Sequence, residues 1–288
     1  MTLLVIGATG MLGQAVVAAA AARGEDVATA ARSGAGLVLD VTDHAAVHAT
    51  VRSVAPDAIV NCAALVSLAA CEGDPGTAYE VNARAVAFLA EAARAASARL
   101  VHVSTDGFWI GDGRSRHDED SPVRLVNEYA RTKYAGEAFA RAYPGTLTVR
   151  TNVTGFRRAV GRPTFIEWVV AALEAGESMT LFDDFYTSTL DAPALAEAVL
   201  DLLGAGATGL LHVASSEVTS KQEFIEAVAR ATGYGDREFA TASVASLDPP
   251  RPDSLGLDVT RAEAILGRSL PDLEQTVGAL AAQSRSAA

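Results

Sequence analysis

Cysteine is nearly missing. The 288 residues contain two, Cys62 and Cys71, too few and too closely spaced for a disulfide framework. Both stand among apolar neighbours, where buried reduced thiols are expected. Long hydrophobic runs are missing too, since no stretch approaches the ~18 apolar residues that read as a membrane span. The chain opens Met1-Thr2-Leu3-Leu4-Val5-Ile6 with no basic segment, so no signal peptide is expected and the cytoplasm is the expected compartment. Positive charge is short as well: 23 Lys and Arg stand against 35 Asp and Glu, for a net charge of −12. That balance repels phosphate backbones and anionic membranes, so neither nucleic acid nor membrane is an expected partner. An anionic ligand then needs a local device, such as a helix N-terminus.

What remains is globular: half of the residues are apolar and a fifth charged. A chain of this length buries about three quarters of its unfolded surface and needs no staple. Short apolar runs at 3–6, 26–31, 58–63, 99–104 and 146–151 predict strands. Between them, 10–23, 43–54, 76–96 and 128–142 predict helices, with Asp43 capping the second. Alternation at this spacing predicts a parallel sheet covered on both faces, a Rossmann-type doubly wound α/β fold. Beyond Gly155 the rhythm changes, with helices expected at 165–175, 192–203 and 220–232 and a strand at 209–214. We expect a dinucleotide-binding part over 1–155. Residues 156–288 are expected to form mainly a small substrate-binding lobe, with elements returning to the core.

The run Gly7-Ala8-Thr9-Gly10-Met11-Leu12-Gly13 follows the first strand and opens the first helix. Three glycines at this spacing suit a tight turn, close approach of backbone to a pyrophosphate and close helix packing. A site for NAD usually ends its second strand in Asp or Glu, which accepts from the ribose 2′-hydroxyl. Here that place reads Ala31-Arg32-Ser33, and a guanidinium holds a 2′-phosphate bidentately. NADP(H) is therefore expected over NAD(H). Asp40 and the Val41 amide stand where an adenine ring would lie.

Tyr129 and Lys133 are four apart on a predicted helix and share a face. An adjacent ammonium stabilises a phenolate, so this pair suits proton exchange with a carbonyl oxygen. Ser104-Thr105 closes the fourth major strand. Residues 106–126 then form a long polar loop rich in glycine, which also carries Phe108 and Trp109. A loop of that length in a compact domain reads as functional, and Trp109 in it reads as core or, like Phe156, as a lid surface that stacks on a ligand. Trp168 is expected in the core. His102 alternates within a strand and reads as packed core. Asp183-Asp184 reads as a turn. His44 and His48 have a spacing that can bind metal, but no third donor stands near them in sequence, so an exposed helix face and no metal are expected.

Gly7-x-x-Gly10-x-x-Gly13, Asn61-Cys62-Ala63-Ala64, Val81-Asn82, Val103-Ser104-Thr105-Asp106 and Tyr129-x-x-x-Lys133 together resemble the extended short-chain dehydrogenases/reductases. Within them the chain is most similar to the dTDP-4-dehydrorhamnose reductase family of nucleotide-sugar 4-ketoreductases. Arg150-Thr151-Asn152 and Arg251-Pro252-Asp253-Ser254-x-x-Leu257-Asp258 extend the likeness over nearly the whole chain. The resemblance implies catalytic roles for Thr105, Tyr129 and Lys133. It also implies cofactor contacts from Cys62, Ala63, Ala64, Asn82, Thr151, Asn152 and Val153, and sugar contacts from Asp106. A nucleotide-sugar substrate is expected, and a homodimer is compatible with it. Two departures stand at the sugar end: Gly107 follows Thr105-Asp106 where an aromatic is usual, and Asn152-Val153-Thr154-Gly155-Phe156 follows Arg150-Thr151. Dehydratases of this fold carry Glu where Gly107 stands, which speaks against elimination. The alternatives are an epimerase or dehydratase of the same fold, or a non-catalytic NADP-binding subunit resembling that of methionine adenosyltransferase.

Overall fold

The computed structural model describes residues 1–157 and 163–285. Its first half runs β1 (Thr2–Ile6), α1 (Met11–Ala22), β2 (Asp26–Ala31), β3 (Leu37–Val38), α2 (His44–Val54) and β4 (Ala58–Asn61). Next come α3 (Leu68–Gly73), α4 (Pro75–Tyr79), one π turn (Glu80–Arg84), α5 (Ala85–Ala95), β5 (Arg99–Val103), β6 (Arg116–His117), α6 (Glu128–Arg141) and β7 (Thr146–Arg150). The expected single helix over 76–96 is thus broken by a π turn, the usual kind of bulge inside a helix and often found near functional sites.

The second half contributes β8 (Asn152–Thr154), α7 (Phe165–Ala175), β9 (Thr180–Phe182), β10 (Tyr186–Thr187), β11 (Thr189–Asp191) and α8 (Ala192–Gly204). It continues with β12 (Gly209–His212), β13 (Thr219–Ser220), α9 (Lys221–Ala231) and β14 (Ala240–Ala242), and ends with β15 (Ser254–Leu257), α10 (Thr260–Leu266) and α11 (Leu273–Arg285). Ser220 caps α9 with a full capping box to Glu223, as the serine before an amphipathic run predicts.

Seven parallel strands form the main sheet in the order β12-β7-β5-β4-β1-β2-β3. Successive strands move outward from β1 to β3, and the chain then returns to β4 on the other side of β1. The switch point between β1 and β4 opens a crevice at the carboxyl ends of the strands, where such sheets bind ligands. Alternate residues of β1 face opposite layers. Leu3 and Val5 pack with α1 and α8, whereas Leu4 and Ile6 pack with α2 and α5. A third apolar cluster joins Ile166, Leu173, Phe224 and Leu280 of α7, α9 and α11 away from the sheet. Among the described residues no helix is long and apolar enough to cross a membrane.

The segment after Thr105 differs from the expected lid. Its residues 116 and 117 form β6, which pairs with β15, and the Gly111 amide donates to Asp253 Oδ1 at 2.7 Å. The Asp112 amide donates to Ser254 Oγ at 2.8 Å, so the late Asp253-Ser254 segment stitches the loop down. Trp109 is 2% exposed. Its ring stacks on His117 at 4.5 Å with an interplanar angle of 3° and meets His212 edge-on. The indole is therefore core, and the expectation that it stacks on a sugar is corrected. Trp168, expected in the core, is 43% exposed beside Phe165. His102 is buried as expected, with Nδ1 3.2 Å from Asn61 Nδ2. Asp184 accepts from the Val244 amide, which makes the Asp183-Asp184 pair a structural turn.

Trp109→Ala should cost about 3–5 kcal/mol of stability, the range for emptying a buried large aromatic site. Urea unfolding measures it. Unchanged stability with a weakened substrate Michaelis constant would restore the lid.

Candidate active site

The glycine turn sits at the switch point. Gly7 has φ +77°, and a Cβ there would lie 2.7 Å from the Ala63 amide nitrogen, so the turn and the chain leaving β4 touch backbone to backbone. At Gly13 a Cβ would meet the Gly7 carbonyl at 2.2 Å, so only glycine lets α1 start this close to the turn. No side chain caps α1 at Gly10 and no acidic residue stands in its first turn. The exposed amides and the helix dipole there favour an anion. This is the local device that a chain of net charge −12 needs. Met11 lies against Gly155, and Leu12 is buried beneath the turn.

Around this turn the other expected cofactor residues distribute unevenly. Gly34 is within van der Waals distance of the Thr9 methyl, so the end of β2 borders the turn, with Arg32 and Ser33 exposed to solvent beside it. Asp40 is exposed, and its Oδ1 accepts from the Thr42 amide and hydroxyl at 2.9 and 2.7 Å. These bonds, helped by the Arg32 charge, hold its carboxyl below the usual range. Val41 is buried. Asn82, in the π turn, accepts from the Leu65 amide at 2.8 Å and donates to the Leu65 carbonyl and to Thr132 Oγ1. It therefore braces the Cys62-Ala63-Ala64 segment rather than reaching out itself. Burial pushes the Cys62 thiol up to about 12, so it is not a nucleophile.

Thr105, Tyr129 and Lys133 meet at the carboxyl edge of β5. Asn127 caps α6 by accepting from the Ala130 amide at 2.8 Å, which fixes where Tyr129 enters. The nearby Thr105 hydroxyl favours the ionised form of the Tyr129 phenol, yet burial prevails and pushes its pKa up to about 12. Lys133 is 1% exposed, donates to the Val103 carbonyl at 2.7 Å, and is brought down to about 8 by burial. The expected lowering of the phenol by the lysine is not the governing effect: the ammonium is held by a strand carbonyl one turn away.

Four features escaped the sequence reading. Beneath the triad, Arg150 forks onto Glu137 at 2.9 and 2.8 Å, and Ser104 Oγ donates to the same carboxylate at 2.7 Å. Glu137 follows Lys133 by one turn, so helical spacing alone could have flagged it. Asp106 is buried and accepts from Asn152 Nδ2 at 2.7 Å, while Asn152 Oδ1 accepts from Thr189 at 2.8 Å. Lys221 extends this chain toward Thr189 at 3.4 Å, its ammonium lying over the rings of Phe165, Phe185 and Phe224. Nothing local in sequence joins Lys221 to Asp106. Finally, Glu91 of α5 reaches His44 and His48, which corrects the expectation that no third donor is near them. Thr151 Oγ1 is buried without a hydrogen-bond partner, a donor available to a bound group, and Val153 is half-buried beside it. Phe156 is half-buried and packs on the α7–α9 cluster.

The family profile described as RmlD substrate binding domain matches residues 1–286. This chain belongs to that family. It is an extended short-chain dehydrogenase/reductase, with a nicotinamide-cofactor fold. A dTDP-4-dehydrorhamnose reductase of Mycobacterium tuberculosis is 34% identical over 261 residues, covering 88% of this chain and 82% of the relative. A probable low-salt glycan biosynthesis reductase of Haloferax volcanii is 32% identical over 293 residues, covering 96% of each. Among solved structures, a dTDP-4-dehydrorhamnose reductase from Clostridium acetobutylicum superposes with a TM-score of 0.89 at 22% identity, over 99% of this chain and all of that one. That likeness establishes the fold.

Asp106 gives a pH test within this RmlD-family site. Burial raises its folded pKa to about 6 from an ordinary 3.8, while Asn152 and Lys221 pull the other way. A raised pKa means that the folded protein binds the proton more tightly than the unfolded chain. Stability from this group is complete below about pH 4 and is lost as pH rises through about 6. Asp106→Asn should therefore gain on wild type between pH 4 and 7, by up to about 3 kcal/mol. Denaturant unfolding at the two pH values checks it, and a gap that does not widen contradicts the assignment.

Proposed function

We propose that the protein is an NADPH-dependent reductase of a keto group on a nucleotide-linked deoxysugar. The contact between Tyr129 and Thr105, one turn from buried Lys133, carries this reading. The names of its curated relatives supply the substrate class, which several of them give as dTDP-4-dehydrorhamnose reductase and one from Streptomyces niveus as dTDP-4-keto-6-deoxy-D-glucose reductase. A bound nicotinamide supplies hydride to the carbonyl carbon. In this reading the Thr105 hydroxyl orients the carbonyl oxygen and the Tyr129 phenol gives that oxygen its proton. Lys133 then steadies the phenolate left behind. Asp106 binds sugar hydroxyls, Asn152, linked to it, lies by the nicotinamide, and Phe156 borders the sugar. We assign residues 1–155 to the cofactor part and 156–288 mainly to the substrate part, with α8 and β12 returning to the main sheet. The cysteines suit a reducing cytoplasm.

NADP(H) is preferred because β2 ends in exposed Arg32 and Ser33 with no carboxylate at the ribose position. A Bacillus anthracis dTDP-4-dehydrorhamnose reductase of the same fold was solved with NADP, and a Bordetella bronchiseptica enzyme with NAD+, so the preference rests on Arg32 itself.

Two substitutions separate these claims. Oxidation of NADPH with a panel of nucleotide-linked 4-keto sugars tests the activity, and silence across the panel overturns it. Tyr129→Phe keeps the ring and should lower turnover by about 10²–10⁴-fold while cofactor binding persists. Wild-type turnover in that variant would mean that another acid serves. Arg32→Ala removes a charge-assisted contact of about 1.5–3 kcal/mol and should weaken NADPH by about 10- to 100-fold. Cofactor fluorescence titration should show NADH unchanged, and an equal loss for both cofactors removes the preference.

A further inference from the structure

On the layer that buries Leu4 and Ile6, well away from the Tyr129–Lys133 helix in the chain, α2 packs along α5. His44 and His48 stand one turn apart at the start of α2, and Glu91 faces them from α5. His44 Nε2 is 3.3 Å from Glu91 Oε2, and His48 Nε2 is 3.9 Å from the same oxygen. The three donor atoms all lie within 4.8 Å of one another. The two imidazoles are 4.5 Å apart, and the edge of Phe88 packs against His44 at 4.9 Å, which limits the freedom of that ring.

A simple ion pair accounts for only half of this arrangement. One imidazolium on one carboxylate satisfies His44. It leaves His48 Nε2 shut off from solvent with no hydrogen-bond partner among the described residues, 3.9 Å from the same oxygen. Two protonated rings at this separation would repel each other. The two imidazoles and the carboxylate, with their donor atoms within 4.8 Å of one another, instead offer a nitrogen, nitrogen and oxygen donor set. Tetrahedral zinc, with bonds of about 2.0–2.2 Å, spaces its donors ~3.4 Å apart. His44 and Glu91 already stand at that distance, and His48 has to close in from 3.9 Å. All three side chains have the room, being 53%, 26% and 53% exposed.

We propose that His44, His48 and Glu91 form a three-donor site for a divalent transition-metal ion, zinc above all, that staples α2 to α5. Imidazole donors select zinc, copper, nickel and cobalt over magnesium and calcium. Water or an outside ligand fills the fourth position. The ion joins residues 47 apart in the chain, and it anchors the helix that follows the Asp40-Val41 segment. Its role is structural. None of its ligands belongs to the proposed redox centre.

Calorimetric titration of the full-length, chelator-treated protein with Zn²⁺ tests the site, with Co²⁺ absorption as a second probe. One equivalent should bind to wild type. His48→Ala and Glu91→Gln, both at the protein surface, should weaken it at least as much as the roughly 10–100-fold that loss of even an outer-shell partner costs. Zn²⁺ should raise the melting temperature of wild type and of neither variant. Mg²⁺ should bind neither. Binding that is absent, that favours Mg²⁺, or that is equal in wild type and both variants overturns the proposal.

Discussion

The buried fork between Arg150 and Glu137 is the constraint on which the rest of the site depends. Both groups are almost fully buried, and two charges taken from water stay tolerable only if each is closely matched. The guanidinium gives the carboxylate two parallel bonds and Ser104 adds a third, while Arg150 Nη1 is buried with no hydrogen-bond partner among the described residues. Phe108 and Trp109 cover the guanidinium at 4.8 and 5.6 Å from their ring centres. One ion pair therefore ties the end of β7, the end of β5 and the middle of α6 into a single unit. Tyr129 and Lys133 lie on that helix, so their distance from Thr105 is set by the pair. Removing either partner alone would strand a buried charge, at a cost of about 3–5 kcal/mol.

The aromatic cover explains why the loop after Thr105 cannot behave as a free lid. Phe108 and Trp109 are drawn inward by the guanidinium and by the stacked His117 ring. Gly107 fits this turn: its amide donates to Thr105 Oγ1 at 3.1 Å, and a Cβ there would lie 3.4 Å from that same hydroxyl oxygen. The remainder of the loop is held by β15 and by Asp253 and Ser254. Asn127 joins in, capping α6 with its oxygen and donating to the Pro250 carbonyl with its nitrogen at 3.3 Å. The late segment around Pro250 thus meets the N-terminus of α6.

Much of this was legible in the sequence because it is local. Strand period, the glycine spacing after β1, the Asp43 and Ser220 caps and the four-residue step from Tyr129 to Lys133 each require only neighbouring residues. The topology followed from alternation, since a parallel sheet admits few connections. What was not legible joins distant segments. Lys221 and Asp106 are brought together only by the fold of the second half, and Glu91 reaches His44 only because α2 and α5 pack side by side. Trp109 stayed open between core and lid for the same reason: an aromatic in a polar loop shows its partners only after Arg150 and His117 have been placed. The π turn at Glu80–Arg84 was also hidden, because its cause is tertiary. Asn82 bonds to Leu65 and Thr132, and those partners do not appear in the local pattern.

Burial acts on the three central ionisable groups in one direction, toward neutrality. It raises Tyr129 to about 12 and Asp106 to about 6, and lowers Lys133 to about 8. In the proposed reduction this matters first at Tyr129, because a phenol that is to donate must still hold its proton when the keto group arrives. A phenol depressed far below its ordinary value would suit oxidation of an alcohol, where it must accept a proton, and would leave little to donate. Here the resting phenol is fully protonated, and only the Thr105 hydroxyl pulls toward ionisation. In the proposed mechanism the acidity needed for transfer comes from charge building on the substrate oxygen as hydride adds, together with Lys133 one turn along the helix. Lys133 remains largely charged at neutral pH despite its burial, because the Glu137 carboxylate one turn along opposes the desolvation. The same carboxylate that fixes the helix through Arg150 therefore also keeps its lysine cationic. Structure and chemistry share one buried anion.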